Sequence, residues 1–212
     1  MSELPKVHLI DDDAAIRDAL VLLLSLRGIP VAAYETAESA LQSIGDDPRG
    51  CVITDLRMPG MNGLEFMRQL VDRGARLPVI MLTAHGDVAT TRAALRGGAF
   101  DFLEKPIDED ILFDVLKHAL AEDEQRHRAQ RETEQKRERI SSLTQRELQV
   151  LGLLGRGQQN REIAVTLSIS PRTVEVYKAR MMEKLGCQTI ADVVKMSMLL
   201  ENMSSNDAAK TS

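Results

Sequence analysis

The sequence predicts two domains: an α/β domain with a doubly wound, five-stranded parallel sheet, followed by a small all-α domain of four helices. Three observations support this prediction. The 212 residues are enough for two small cores. Short apolar runs alternate with amphipathic segments over residues 1–120, whereas residues 140–203 show helical periodicity only. The charge balance also differs, because residues 1–120 carry 12 Lys and Arg against 19 Asp and Glu, whereas residues 141–212 carry 9 against 7.

Five apolar runs are the candidate strands of the first domain, which we assign to residues 1–120. Most of these runs are apolar on both faces, and an amphipathic segment separates each one from the next. Strands that are buried on both faces and alternate with helices form parallel sheets with helices on both sides. The runs are residues 7–10, 30–34, 51–54, 79–82 and 100–103.

Residues 121–139 form a charged segment between the two domains. Ala121 and Ala129 are its only apolar residues, and it contains neither Gly nor Pro. The lack of a regular apolar stripe argues against a stable coiled coil. We predict that this segment extends the preceding helix, and a flexible charged linker is the alternative.

The second domain, residues 140–203, has clear helix-start signals. Thr144 and Glu147 have the spacing of a capping box. Asn160 is a candidate N-cap for the next helix. Beyond the last helix, residues 204–212 are polar and are predicted to form a frayed tail.

Chemically active side chains follow four of the five predicted strands. Asp11 and Asp12 follow the first strand, Asp55 follows the third, Thr83 ends the fourth and Lys105 follows the fifth. Ligands of open parallel sheets bind at the carboxyl ends of the strands, where the strand order switches. Carboxylates clustered there suit Mg²⁺, and a nearby hydroxyl and ammonium suit phosphoryl transfer onto a carboxylate nucleophile. Each Asp alone could equally be a helix cap.

These residues resemble the receiver domain of bacterial two-component response regulators, over residues 5–120. The resemblance implies a flavodoxin-like fold and a cognate histidine kinase as partner. The motifs that carry it are Asp11-Asp12, the run Asp55-Leu56-Arg57-Met58-Pro59-Gly60-Met61-Asn62-Gly63, Thr83-Ala84 and Lys105-Pro106.

The resemblance also assigns metal and acceptor roles at this site. It implies that Asp55 accepts the phosphoryl group from the kinase. It implies that Asp12, Asp55 and the backbone carbonyl of Arg57 bind Mg²⁺, with Asp11 contributing through water. Asp13 receives no separate role.

The same resemblance assigns the switch residues. It implies that Thr83 binds the phosphoryl oxygens, that Lys105 pairs with them and that Phe102 is the aromatic residue that turns inward when Thr83 moves. Arg57 and His85 occupy the positions that flank the hydrolytic water. Because the Arg57 side chain has no acceptor atom to orient that water, we hypothesise slow self-dephosphorylation, and the alternative is that Arg57 simply faces solvent.

The second domain contains a short helix, a turn and a longer helix over residues 160–185. Ser170 is a good N-cap and Pro171 suits the first helical position. At 100° per residue the longer helix has an apolar face and an opposite face of small and polar groups, which suits the major groove of DNA. The pattern alone leaves an ordinary helical bundle open. The apolar face comprises Val174, Tyr177, Met181 and Leu185.

A second resemblance, over residues 140–200, is to the LuxR-type four-helix DNA-binding domain. It implies that Glu147 is a buried acid, that the final helix, at about residues 189–200, mediates dimerisation and that Tyr177 replaces the more usual histidine. The DNA-contacting residues that it implies are Thr173, Glu175, Val176, Lys178, Ala179 and Arg180. The matching motifs are residues 143–151, 160–164, 170–177 and 184–186.

The two domains together resemble response regulators of the NarL/FixJ class, and most closely the FixJ branch. The class implies that phosphorylation of Asp55 promotes homodimerisation, release of the C-terminal domain, or both. The protein would then bind a palindromic promoter site in double-stranded DNA and activate transcription through RNA polymerase.

Composition argues against several other classes. No apolar run approaches the roughly 20 residues that a membrane-spanning helix needs, and the N-terminus lacks a signal-peptide pattern. Cys51 and Cys187 lie far apart, which favours free thiols in a reducing compartment. We therefore expect a cytoplasmic protein without a membrane partner.

Two alternatives from other classes stay open. A metal-dependent phosphatase would also use Asp55 as nucleophile, but such enzymes place a second acid two residues later, where this chain has Arg57. A receiver with an RNA-binding output is disfavoured by the capped helix that begins at Pro171. We expect no enzymatic activity beyond self-phosphorylation and self-dephosphorylation.

Overall fold

The computed structural model describes residues 5–45, 47–84 and 96–210, with side chains described up to residue 203. The chain divides into two compact units between His127 and Arg128. The domain boundaries predicted at residues 120 and 140 stay predictions. Within the described residues, no helix is long and apolar enough to cross a membrane.

The first unit contains the predicted parallel sheet of five strands, in the order β2-β1-β3-β4-β5. The predicted fold class is therefore confirmed. The strands are β1 (Lys6–Ile10), β2 (Val31–Tyr34), β3 (Gly50–Asp55), β4 (Val79–Thr83) and β5 (Asp101–Glu104). The helices described here are α1 (Ala14–Leu26), α2 (Ala37–Ser43), α3 (Gly63–Asp72) and α4 (Glu109–Ser141).

The sheet separates two apolar clusters, and each cluster takes alternate residues of the strands. On one face, Ile53 of β3 packs with Leu24 of α1 and Leu116 of α4. On the other face, Val52 of β3 packs with Phe66 of α3 and with residues of α2. This arrangement explains why the strands read as apolar on both faces. The strand order places the carboxyl ends of β1 and β3 side by side, at the point where the order switches.

Helix α4 continues without a break through the charged segment 121–139. Asp123 and His127, which lie in this segment, are only 0% and 5% exposed. The sequence pattern gave no indication of this burial, because charged residues surround both positions. Part of the charged segment is therefore covered by the first unit.

A group of polar side chains, which we call the polar clasp, explains this burial. It comprises Arg49, Asp123, Glu124, Arg126 and His127. The Asp123 carboxylate accepts the backbone N–H of the residue at the start of β3 at 2.9 Å. Arg49 pairs with Asp123 and Glu124, and Arg126 pairs with Asp123. The Asp123 charge is thus buried but well paired, as buried charges need to be.

The second unit is all-helical. Ile140, at the end of α4, and the four following helices bury a single apolar cluster. Thr144 caps the first of these helices, and Glu147 completes the predicted capping box. The four helices are α5 (Gln145–Gly155), α6 (Asn160–Leu167), α7 (Pro171–Leu185) and α8 (Ile190–Lys210).

Two helix-end predictions in this unit were wrong. Asn160 is the first residue of α6, not its cap; Gln159 takes the cap position, and the Glu162 carboxylate accepts its backbone N–H at 2.7 Å. The acid three residues after Gln159 decides where this helix starts. Helix α8 continues to Lys210, so the predicted polar tail is helical over residues 204–210. Residues 190–210 contain neither Gly nor Pro, the residues that most strongly disfavour a helix.

Candidate functional site

The predicted acidic residues meet at the carboxyl edge of the sheet. Asp11 and Asp12 directly follow β1, and Asp55 is the last residue of the neighbouring β3. One carboxylate oxygen from each of the three lies within 4.8 Å of the others. Asp11 is fully buried, Asp55 is partly buried and Asp12 is exposed. The cluster is therefore sealed on one side and open to solvent on the other.

Lys105, which follows β5, reaches across this edge and bridges two of the carboxylates. Its Nζ donates to Asp11 Oδ2 at 2.7 Å and to Asp55 Oδ2 at 2.8 Å. Burial alone would lower the pKa of Lys105, but hydrogen bonds and charge interactions with the two carboxylates outweigh burial and raise the pKa. The ammonium form is therefore held in place beside Asp55.

Asp11 has both of its carboxylate oxygens engaged within the protein. Oδ2 accepts from Lys105, and Oδ1 accepts the backbone N–H of Asp13 at 2.9 Å. Asp13 itself caps α1, because its carboxylate accepts the backbone N–H of Ala15 at 2.8 Å. This cap is a role that the sequence prediction did not assign to Asp13. The engagement of Asp11 is compatible with the predicted contribution through water.

The donor set at this edge fits a hard divalent cation. Among the described residues, three carboxylates cluster here and Lys105 pairs with two of them. Like charges at this separation favour a cation between them. Carboxylate oxygens, with room for water on the open side, are the ligands that Mg²⁺ prefers. Of the predicted ligand set, Asp12 and Asp55 are both brought to this position.

The loop between β3 and α3 folds back over the end of β3. The backbone N–H of Arg57 donates to Asp55 Oδ1 at 3.2 Å, while the Arg57 side chain is exposed. The backbone N–H of Gly63 donates to the Leu56 carbonyl at 3.1 Å. A Cβ atom at Gly63 would lie 2.5 Å from the Asp55 carbonyl oxygen, so only glycine fits there. Sequence reasoning missed this packing role of Gly63. The signal that could have indicated it is the position of Gly63 as the last residue of the acceptor motif.

Thr83 and Phe102 lie on the neighbouring strands. Thr83 ends β4 and is 2% exposed. Its carbonyl accepts the backbone N–H of Lys105 at 2.7 Å. Phe102 lies in β5 opposite Met81 and is partly buried against the α2–α3 face of the sheet. The switch roles of Thr83 and Phe102 stay predictions, and His85 lies outside the described residues.

Helix α7 has the two faces that periodicity predicted. Ser170 caps it by accepting the backbone N–H of Thr173 at 3.1 Å. Val174, Met181 and Leu185 are buried, and Tyr177 is partly buried with them. The predicted DNA contacts that are exposed are Glu175, Val176, Ala179 and Arg180, and those that are partly exposed are Thr173 and Lys178.

Glu147 is the buried acid that the LuxR-type resemblance predicts. It is 2% exposed, and its carboxylate accepts from Lys184 Nζ at 2.7 Å and from Thr144 Oγ1 at 2.9 Å. Burial alone would raise the pKa of Glu147, but Lys184 and Thr144 outweigh burial and lower it. This ion pair links the start of α5 to the end of α7, and residues of both helices also pack in the apolar cluster of the unit.

Comparison with known proteins agrees with both halves of this description. Residues 7–117 match the response regulator receiver domain family, and residues 141–197 match the luxR family of bacterial regulatory proteins. The transcriptional regulatory protein FixJ of Azorhizobium caulinodans is 40% identical over 211 residues, which covers 100% of both chains.

Two solved structures of response regulators are also similar. The response regulator StyR is 37% identical with a TM-score of 0.81, over 91% of this chain and 97% of that chain. Full-length FixJ from B. japonicum is 35% identical with a TM-score of 0.56, over 93% of this chain and 98% of that chain. The chain therefore belongs to the response regulators of the NarL/FixJ class and is a FixJ-like transcriptional regulator, with a receiver domain and a LuxR-type DNA-binding domain.

Proposed function

We propose that Asp55 accepts a phosphoryl group from a cognate histidine kinase in a Mg²⁺-dependent reaction. The observation that carries this proposal is the bridge from Lys105 Nζ to Asp11 and Asp55 beside a cluster of three carboxylates. The Asp55 side chain is 14% exposed, whereas that of Asp11 is 0% exposed. Asp55 is thus the carboxylate that is both held by the lysine and open to a donor.

The transfer needs little from the protein beyond positioning and charge. A carboxylate oxygen of Asp55 attacks phosphorus, an O–P bond forms, and the N–P bond to the kinase imidazole breaks. Asp12, Asp55 and the Arg57 carbonyl would hold Mg²⁺, which neutralises charge on the phosphoryl oxygens when it is bound. Lys105, already placed beside Asp55, pairs with a second phosphoryl oxygen.

The acyl phosphate then shifts a conformational equilibrium. Thr83 moves toward the phosphoryl group. Phe102, which is only partly buried, then turns inward into the space near Thr83. A differential binding energy of about 2–4 kcal/mol is sufficient to switch the major population. The favoured state forms a homodimer, releases the C-terminal domain, or does both.

The active form binds promoter DNA through α7. Glu175, Val176 and Ala179 face the bases, and Lys178 and Arg180 contact phosphates, with Thr173 at the start of the helix. Two linked copies on a palindromic site gain affinity without new contacts. The bound dimer activates transcription by recruiting RNA polymerase in the cytoplasm, and the protein has no turnover activity of its own.

Intact-mass measurement tests the acceptor directly. The protein is incubated with acetyl phosphate, with and without Mg²⁺, and Asp18→Asn serves as an exposed control on α1. We expect Mg²⁺-dependent addition of one phosphoryl group to the wild type and the control, and none to Asp55→Asn. Labelling of Asp55→Asn, or repeated hydrolysis of small phosphate esters without labelling, would contradict the proposal.

The salt dependence of binding to duplex DNA tests the proposed DNA-binding role of α7. We expect Arg180→Ala to weaken binding to all sequences and to reduce the salt dependence by about one phosphate contact. Glu175→Ala is expected to change the preferred base sequence instead. Salt-sensitive binding to RNA without binding to duplex DNA would favour the RNA-binding alternative.

A further inference from the structure

A glutamate of α2 holds the loop that carries the acceptor motif. Glu38 lies in the first turn of α2, and its Oε1 accepts the backbone N–H of Met61 at 3.0 Å. The adjacent Gly60 has a φ of +76°, and a Cβ atom there would lie 3.0 Å from Glu38 Oε1. Glycine at position 60 therefore allows both the left-handed backbone conformation and the close approach of the Glu38 carboxylate.

The same loop begins with the groups assigned to phosphoryl transfer. Asp55 and Arg57 lie at its start, and the Arg57 amide is already bound to Asp55 Oδ1. At its end, the side chain of Asn62 accepts the backbone N–H of Glu65 at 3.0 Å, which fixes the loop to α3. Glu38 adds an attachment to a different helix. Because residues of α2 belong to the apolar cluster that packs on the sheet, this hydrogen bond connects the loop to the core of the domain.

We infer that Glu38 is a positioning residue for the metal and phosphoryl site, acting through the loop backbone. The inference rests on the function proposed for Asp55. By accepting from Met61, Glu38 limits the positions that the loop can sample and so holds the Arg57 carbonyl and Asp55 in register with Asp12. Without this attachment the loop has to be ordered when the cation binds, which weakens binding.

A purely electrostatic role for Glu38 makes a different prediction. A carboxylate in the first turn stabilises a helix through its charge, and a negative charge near the site would attract a cation. Both effects disappear equally in Glu38→Gln and Glu38→Ala. The positioning role survives in Glu38→Gln, because the amide oxygen still accepts the Met61 N–H.

The test measures Mg²⁺ affinity by isothermal titration calorimetry on the full chain. Glu38→Ala is compared with Glu38→Gln and with Glu35→Ala, a control that removes an exposed acid just before α2. We expect Glu38→Ala to raise the Mg²⁺ Kd about 3–10-fold, as for one lost hydrogen bond. Glu38→Gln and Glu35→Ala are expected to stay within about 2-fold of wild type.

Two further measurements separate positioning from other effects. Hydrogen exchange at the Met61 amide is expected to be faster in Glu38→Ala and unchanged in Glu38→Gln. The rate at which acetyl phosphate phosphorylates Glu38→Ala is expected to lie below the wild-type rate at low Mg²⁺ and to equal it at saturating Mg²⁺. Equal Mg²⁺ affinity in Glu38→Ala and wild type, or equal loss in both Glu38 variants, would overturn the inference. A wild type that binds no Mg²⁺ would instead refute the proposed function on which it rests.

Discussion

The two ends of the parallel sheet both bury a carboxylate beside cations, yet only one of them has the character of a reactive site. At the carboxyl end, Asp11 is fully buried and paired with Lys105. At the amino end, Asp123 of the polar clasp is fully buried and is paired with Arg49 and Arg126. Burial and pairing therefore do not distinguish a functional charge cluster from a structural one.

The difference lies in charge balance and access. In the polar clasp two guanidinium groups face Asp123 and Glu124, and a backbone N–H completes the shell of Asp123. At the carboxyl end, within the described part of the chain, Lys105 pairs with Asp11 and Asp55 of the three clustered carboxylates, and Asp12 and Asp55 reach solvent. A balanced cluster stabilises the fold, whereas an open cluster with excess negative charge still has capacity for a cation and a phosphoryl group.

The largest stability effect is expected in the polar clasp. Asp123→Ala leaves Arg126 and a buried backbone N–H without their acceptor and leaves Arg49 paired with Glu124 alone. The free energy of unfolding should therefore fall by about 3–5 kcal/mol. Urea denaturation measures this loss. Asp123→Asn, which keeps an acceptor, should lose less, and Glu122→Ala, which removes the exposed neighbouring acid, should change little. A loss under about 1 kcal/mol in Asp123→Ala would show that the clasp is not structural.

A smaller, pH-dependent effect is expected at Lys105. Lys105→Met should lower the free energy of unfolding by about 1–3 kcal/mol without Mg²⁺, because water can reach Asp55 and because Asp11 keeps the backbone N–H of Asp13. The pKa of Lys105 is raised above its usual 10.5. Its stabilising effect is thus fully present below 10.5 and lost as the pH rises through the higher folded-state value. As the pH is raised from neutral, the difference in unfolding free energy between wild type and Lys105→Met should therefore start to narrow above pH 10.5. A difference that narrows between about pH 7 and pH 9 would contradict this assignment.

Removing the acceptor charge should barely affect stability. Asp55→Asn keeps an oxygen for Lys105 and relieves repulsion among three carboxylates, so we expect a change under about 1 kcal/mol, in either direction. Thermal and urea unfolding measure it, and the loss of phosphorylation shows that function and stability separate at this end. A destabilisation as large as that of Asp123→Ala would mean that the carboxyl end is also a structural cluster.

The smallest stability effect is expected at Arg57, whose side chain is exposed. Arg57→Asn should change the free energy of unfolding by less than about 0.5 kcal/mol. It should nevertheless shorten the lifetime of phosphorylated Asp55, because asparagine offers an acceptor for the hydrolytic water. Loss of the phosphoryl group is followed by intact mass over time. An unchanged or longer lifetime would contradict the hypothesis that Arg57 slows self-dephosphorylation.

The carboxylate cluster at the carboxyl end of the sheet could be predicted from the sequence, whereas the polar clasp at the amino end could not, and the reason is physical. Strands of a parallel sheet end at the same edge, so Asp11, Asp55 and Lys105 could be brought together from strand positions alone. The clasp depends on a side chain of α4 reaching the start of β3, between Asp123 and Gly50, which are 73 residues apart. No local pattern marks such a pair when it lies in a charged segment.

The same contrast appears in the second unit. The buried face of α7 followed from helical periodicity, because Val174, Met181 and Leu185 recur at its spacing. The ends of α6 and α8 did not follow, because they depend on which of several polar residues captures a backbone N–H and on the absence of any stop signal. Faces of elements were therefore more predictable than their ends.

Sedimentation velocity on wild type and Asp55→Asn, with and without Mg²⁺ and beryllofluoride, tests the central claim that the open carboxylate cluster is the switch. Beryllofluoride mimics the acyl phosphate and needs both the acceptor and the metal. We expect it to convert wild type from monomer to dimer, or to change its shape at constant mass if domain release dominates, only with Mg²⁺ and not in Asp55→Asn. A response that persists in Asp55→Asn, or no response from wild type with bound Mg²⁺, would contradict the account.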